Sequence, residues 1–175
     1  MKSTDLGRLF SNSSTPLICD ACLRLGVRYG VPNPGLRPLR PTMRMAGRVL
    51  PARHYGSVDV FLEALESAEA GDILVIDNGG RLDEACIGDL TVLEAQNAGL
   101  GGIVVWGVHR DTAEVAGIDF PIFSYGSCPS GPQRLDARPS DALTAASCGG
   151  LEARTHDPSY TLRMHLKRVG GAIEE

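Results

Sequence analysis

Residues 71–106 read GDILVIDNGGRLDEACIGDLTVLEAQNAGLGGIVVW. The run Ile73-Leu74-Val75-Ile76 is continuously aliphatic and short, which suits a strand buried on both faces better than a helix. A second run of the same kind, Ile103-Val104-Val105-Trp106, closes the stretch. Between them, residues 90–98 carry Leu90, Leu93, Glu94, Ala95 and Ala98 in a helical pattern that Gly99 ends. Strand, helix and strand joined by short connections form a βαβ unit, whose two strands run parallel through a right-handed crossover. The predicted fold class is therefore α/β: a single layered domain around a central β-sheet with parallel βαβ crossovers.

Working outward from this unit, the upstream chain supplies more elements of the same kind. Residues 58–68 have helical periodicity through Val58, Phe61, Leu62 and Leu65, and residues 43–50 alternate as a strand does. A further helix is predicted from Ser14 or Thr15 as N-cap, with Pro16 in the first turn and Gly26 as the stop. Its apolar stripe is Leu17, Ile18, Ala21, Cys22 and Leu25. Residues 30–41 hold Pro32, Pro34, Pro38 and Pro41 and read as a long loop, and residues 1–14 read as a flexible polar tail. Downstream, residues 120–124 form a third short strand, residues 125–139 are turn-rich, and residues 141–146 read as a short helical piece. After the Gly149-Gly150 break, residues 160–169 read as a terminal amphipathic helix. The predicted organisation is a tail over 1–14, one domain over 15–147 and a C-terminal segment over 148–175.

Composition narrows the class of partner. The 175 residues include 17 Lys and Arg against 21 Asp and Glu, a net charge of −4. With a pI near 5.6 there is no global positive field for a phosphate backbone, and nucleic acid is not expected as a partner. No apolar run approaches the roughly 18–20 residues of a membrane helix. The first residues also lack a secretory pattern, so a cytoplasmic location is expected. Five cysteines at irregular spacing read as reduced thiols.

Ligands of α/β sheets bind beyond the carboxyl ends of the strands, which directs attention to the turns after Ile76 and Trp106. The first turn leads through Gly88-Asp89-Leu90 into a helix whose leading amides make an anion site. The second carries His109-Arg110-Asp111, a bidentate cation beside a hard oxygen ligand suited to Mg²⁺ or Mn²⁺. An Arg-Asp pair in a loop is more commonly a solvated ion pair or a helix cap. Two such features at the same end of adjacent strands raise the weight of the functional reading.

Gly88-Asp89-Leu90, followed by Arg110-Asp111 with twenty residues between Asp89 and Arg110, resembles the RraA-like family. Supporting stretches are residues 15–21 (TPLICDA), Gly71-Asp72 and residues 98–102 (AGLGG), and the resemblance covers about residues 14–135. That family contains metal-dependent 4-hydroxy-4-methyl-2-oxoglutarate aldolases with oxaloacetate decarboxylase side activity, and the regulator of ribonuclease activity A. The resemblance implies a swivelling β/β/α fold, a homo-oligomer (trimer or hexamer) and a small 2-oxo acid substrate. It further implies that Asp111 ligates a divalent cation, Mg²⁺ or Mn²⁺, and that Arg110 holds the keto oxygen and the developing enolate. The amides of Gly88, Asp89 and Leu90 would take the pyruvyl carboxylate, and Asp89 would position the water that protonates the enolate. The competing implication is a non-catalytic regulator that binds a ribonuclease or another protein. The chain departs from the family pattern after Cys148-Gly149-Gly150, where it passes directly to residues 151–158 (LEARTHDP), so an internal stretch is expected to be missing there.

Other reactive residues read as structural. Cys19 and Cys22 have C-x2-C spacing without a second pair, and both fit the apolar stripe of their helix. His109 is expected as an exposed loop residue, and His54, His156 and His165 show no ligand spacing. Arg37, Arg40, Arg44, Arg48 and Arg53 lack interleaved aromatics and read as a solvated face or subunit contact. Ser124, Ser127 and Ser130 lack the strand-turn-helix setting of a nucleophile, so no hydrolase is proposed.

Overall fold

The computed structural model describes residues 1–155 and the backbone of 160–162 and 166–167. The βαβ unit read from the sequence lies at its centre: β3 (Ile73–Asp77) and β5 (Gly102–Trp106) are parallel neighbours, paired from Ile73↔Gly102 to Asp77↔Trp106. On one side β2 (Gly47–Arg53) runs parallel to β3, and on the other β7 (Ile122–Ser124) runs parallel to β5. The edges are antiparallel. β1 (Arg37–Pro38) pairs with β7, while β10 (Tyr160–Leu162) pairs with β2 and in turn with β11 (Leu166–Lys167). The resulting sheet has the order β1-β7-β5-β3-β2-β10-β11.

The two faces of this sheet are covered differently, and the period of two along each strand sorts the side chains between them. Leu74, Ile76, Ile103 and Val105 join a core with residues of α3 (Asp59–Glu66), α4 (Asp89–Asn97) and α5 (Thr112–Gly117), among them Val60, Phe61, Val92 and Val115. Ile73, Val75 and Val104 face the other way, into a core with Ala146, Cys148 and Ala153 of the hairpin β8 (Ala145–Cys148) and β9 (Leu151–Arg154). Helices on one face and a β-hairpin on the other make a β/β/α layering. Ile73 to Ile76 of β3 are all buried, as an aliphatic run between two cores requires, and Asp77 at its end is buried with Arg53 and the Ser147 amide as partners.

Helix α2 (Thr15–Leu25) begins and ends where its signals stand. Ser14 Oγ accepts the Leu17 amide at 3.4 Å, and Gly26 closes the helix in the left-handed region at φ 66°. Three sequence expectations are corrected. Residues 1–14 are not all tail: Ser3–Phe10 form α1, whose Ser3 and Leu6 are buried. The Ser3 hydroxyl donates to the buried carboxylate of Asp72 and accepts the Arg48 amide at 3.0 Å, a tertiary anchor that a polar composition does not reveal. The short helix expected over 141–146 is instead a turn followed by β8, because Ala145 and Ala146 are needed to cover the sheet. The terminal helix expected over 160–169 is replaced at the described positions by β10 and β11, which continue the sheet beyond the free edge of β2. The rest of that stretch lies outside the described residues. Within the long proline-containing loop, Arg37 and Pro38 add a two-residue edge strand.

Candidate functional site

Above the carboxyl ends of β3 and β5 sits a small second ladder. β4 (Ala85–Ile87) and β6 (Val108–His109) pair in parallel, and the Arg110 amide donates to the Ile87 carbonyl at 3.0 Å. Because β4 leads into α4 and β6 into α5, this pairing brings the two helix-opening turns side by side. Gly88 is the N-cap of α4 and carries no side chain to satisfy the helix. A Cβ built on Gly88 would collide with Asp111 Oδ2 and come within 3.2 Å of both Cγ and Nε of Arg110. The absence of that carbon is what lets the guanidinium and carboxylate lie against the helix end. The structure therefore brings together Gly88, Asp89, Arg110 and Asp111.

Asp111 is the sole non-glycine residue with positive φ among the described residues, at φ 55° and ψ 42°. A left-handed conformation costs an L-residue roughly 1–2 kcal/mol, less for Asp, and such strain gathers where a side chain must be aimed. Asp111 is also the N-cap of α5, yet its side chain makes no capping hydrogen bond. Only its carbonyl serves the helix, accepting the Val115 amide at 2.8 Å. The carboxylate turns back instead to Arg110, whose Nε lies 3.3 Å from Oδ2. The pair is partly open to solvent, with side-chain exposures of 47% and 35%. On the far side, Arg110 Nη1 rests against Gly131, where an added Cβ would stand 2.9 Å from it.

The helix end differs in one respect from the sequence expectation. The Leu90 amide is already taken by Asp89 Oδ1 at 2.8 Å, so it does not face an incoming carboxylate in this arrangement, while the Leu90 side chain is exposed. The Val92 amide closes the first helical turn onto the Gly88 carbonyl at 3.2 Å. Helical geometry leaves the Asp89 and Thr91 amides without an intrahelical acceptor, so these are the donors available at the positive end of the α4 dipole.

A family model described as "RraA-like: Aldolase/RraA" matches residues 15–158. The chain belongs to the RraA-like family. An Alkalilimnicola ehrlichii member carrying a provisional 4-hydroxy-4-methyl-2-oxoglutarate aldolase name is 33% identical over 103 residues, covering 59% of this chain and 64% of the relative. One of two Arabidopsis thaliana proteins with the same provisional name is 32% identical over 123 residues, 66% of this chain and 71% of that one. The chain thus matches about two thirds of the length of these curated relatives. Among solved structures, Streptomyces coelicolor RraAS2, described as an unusual member of the RNase ES inhibitor RraA family, superposes with a TM-score of 0.71. It is 26% identical and covers 86% of this chain and 76% of its own.

Around the RraA-like site lie polar residues to which the sequence reading gave no role. His109 is buried, not exposed as expected: Nδ1 lies 2.8 Å from Ser124 Oγ and Nε2 lies 3.2 Å from Thr112 Oγ1. Burial holds its pKa below the ordinary 6.5, against a hydrogen bond with the Gly126 backbone. Its ring links β7 to the first turn of α5, immediately beside Arg110. Below the site, Asn78 and Glu84 are fully buried. Asn78 Oδ1 lies 2.9 Å from His54 Nδ1, and Glu84 is ion-paired to Arg134 and Arg81. Both residues stand in the turn after β3 that the sequence marked. Gln133 and Arg134, distant in the chain, bond to them and help to make them internal.

Among the described residues, no group of three or more His, Cys, Asp or Glu is placed to hold a metal. The donor set at this site is a single aimed carboxylate, Asp111, with Asp89 on the neighbouring turn. One carboxylate fits Mg²⁺, which keeps most of its water shell and takes one or two protein oxygens. It does not fit a dehydrated all-protein cage.

Proposed function

We propose that this chain is a lyase of the aldolase type that cleaves a 4-hydroxy-2-oxo acid such as 4-hydroxy-4-methyl-2-oxoglutarate to pyruvate, with decarboxylation of oxaloacetate as a related activity. The single observation that carries the reading is the aimed Asp111 carboxylate, held in a strained conformation against Arg110 over the bare backbone of Gly88. A capping or solvated pair needs neither the strain nor the missing side chain. The aldolase names of relatives at about 30% identity support the same class of chemistry.

Both reactions share one electrostatic difficulty. In the retro-aldol cleavage the C4 hydroxyl gives its proton to a water and becomes a carbonyl as the C3–C4 bond breaks, and in the decarboxylation C4 leaves as CO2; in both, the electron pair moves toward the C2 carbonyl and charge builds on the oxygen of a pyruvate enolate. Arg110 presents its Nη edge to that oxygen, because Nε is already engaged by Asp111. A fixed guanidinium stabilises the developing oxyanion without reorganising as the charge forms. The Asp89 and Thr91 amides at the start of α4 hold the substrate carboxylate, aided by the helix dipole. Asp89, one residue past the cradle, positions the water whose proton returns to C3. Asp111 is the residue that would hold Mg²⁺ or Mn²⁺, which when bound supplies Lewis-acid polarisation of the keto acid. No Schiff-base lysine is needed, and Lys2 and Lys167 lie far along the chain from the site residues.

The test is pyruvate release from 4-hydroxy-4-methyl-2-oxoglutarate and from oxaloacetate, with Mg²⁺ or Mn²⁺ and again with chelator. Turnover that needs the cation and disappears in Asp111→Ala is the expected result. A folded sample with no cation-dependent turnover on either acid removes the enzyme reading. Capture of a ribonuclease that persists in Arg110→Ala and Asp111→Ala would then favour a regulatory role.

A further inference from the structure

Glu84 is a carboxylate with no exposed surface, one residue before β4. A buried charge is retained only when it is paired and hydrogen-bonded, and here every partner comes from one of two places. Oε1 accepts Arg134 Nε at 3.0 Å and lies 3.2 Å from Arg81 Nε, the latter an ion pair without hydrogen-bond alignment. Oε2 accepts the backbone amide of Gln133 at 3.0 Å. Arg134 extends further, with Nη2 reaching Asn78 Oδ1 at 3.4 Å. The Ala85 amide, next in the chain, donates to the Ser130 carbonyl at 2.8 Å. Gln133 Nε2 ties Ser130 Oγ and the Gly131 carbonyl together at 3.1 and 3.2 Å. Residues 130–134 are thus fastened at both ends to the two residues preceding and opening β4, and between those ends lies Gly131, against which the Arg110 guanidinium rests.

We infer that Glu84 is a positioning residue for Arg110: its buried carboxylate fixes the 130–134 segment as the wall that holds the guanidinium over the Gly88 helix end. The inference rests on the reading of Arg110 as the oxyanion-holding group. Without that wall the guanidinium keeps, among the described residues, its packing on Gly88 and the partly solvated ion pair with Asp111, and an exposed pair holds a long side chain weakly. Arg81 and Asn78 belong to the same assembly. They tie Glu84 to the turn after β3, so the wall is anchored to the carboxyl end of a central strand.

Glu84→Gln in the full chain tests this, with Arg134→Lys as a second variant that keeps the charge but loses the aligned Nε–H. Three quantities are read: amide hydrogen exchange across residues 130–134, the relaxation of the Arg110 Nε–Hε resonance, and the affinity for oxalate, a planar mimic of the pyruvate enolate. Exchange in the segment should quicken at least about tenfold and the Arg110 resonance should become mobile. Oxalate binding should weaken about tenfold, the scale on which groups supporting a ligand-binding residue act. In an Arg110→Ala background Glu84→Gln should weaken oxalate no further, which separates positioning from general destabilisation. Unchanged exchange and unchanged Arg110 mobility in both variants overturn the inference, as does an equal loss of oxalate affinity with and without Arg110. If the wild-type chain neither binds oxalate nor releases pyruvate, the aldolase reading fails. The exchange and resonance measurements still decide whether Glu84 holds Arg110.

Discussion

Replacing Gly88 by Ala isolates the cradle from the fold. At φ −145° and ψ −164° the backbone is one that alanine adopts freely, so the substitution acts only through the added carbon. That carbon would overlap Asp111 Oδ2 and press on Arg110 Cγ and Nε at 3.2 Å, so both side chains must yield outward. They are 35% and 47% exposed and can do so. Loosening a solvated pair costs about 0–1 kcal/mol, and alanine in place of glycine at an N-cap costs up to about 1 kcal/mol. At roughly 2–4 °C per kcal/mol for a chain of this size, the melting temperature should fall by no more than about 8 °C. The site should suffer far more, because displacing a reacting group by about 1 Å costs on the order of 10²-fold in rate. Pyruvate release with Mg²⁺, measured beside thermal unfolding of the same preparation, gives both numbers. Turnover within about threefold of wild type, in a protein melting normally, would refute the claim that the Gly88 backbone shapes the reacting centre.

Two further outcomes follow from burial. His54 and His109 are both held below the ordinary 6.5, chiefly by desolvation, so on acidification the unfolded chain takes up protons first. Their contribution to stability is complete above about pH 6.5 and is lost as the pH falls below it, by up to about 1.4 kcal/mol per pH unit for each histidine. Guanidinium midpoints should therefore drop between pH 7 and pH 5.5. The slope should flatten in a His54→Gln/His109→Gln variant, and an equal slope in that variant contradicts the assignment. For the thiols, burial pushes Cys86 and Cys148 up to about 12, and the thiolate is the reactive form. Alkylation of the folded protein at pH 8, read by mass spectrometry, should mark the half-buried Cys19 and Cys128 while Cys86 and Cys148 react only after denaturation. Prompt modification of Cys86 in the folded state would show that its surroundings open.

What the sequence determined is what short-range chemistry encodes. A short run of four aliphatic residues is costly to leave facing water on either side, so Ile73-Leu74-Val75-Ile76 suited a strand buried on both faces. Ser14, Pro16 and Gly26 set the ends of α2 through contacts within a turn of the helix. The site turns were legible for the same reason, since a glycine before a helix and an Arg-Asp pair after a strand are local patterns. The tertiary structure alone decided whether those patterns meet. The parallel pairing of β4 with β6 sets the Gly88-Asp89 and Arg110-Asp111 turns side by side across the twenty residues between Asp89 and Arg110, and no local rule fixes that register. It also decided which polar groups become internal. Ser3 looked like part of a polar tail and His109 like an exposed loop residue, and no local pattern marked Glu84, yet each is buried because a distant segment covers it. Polarity fixes what a buried group must bond to, while long-range packing fixes whether it is buried at all.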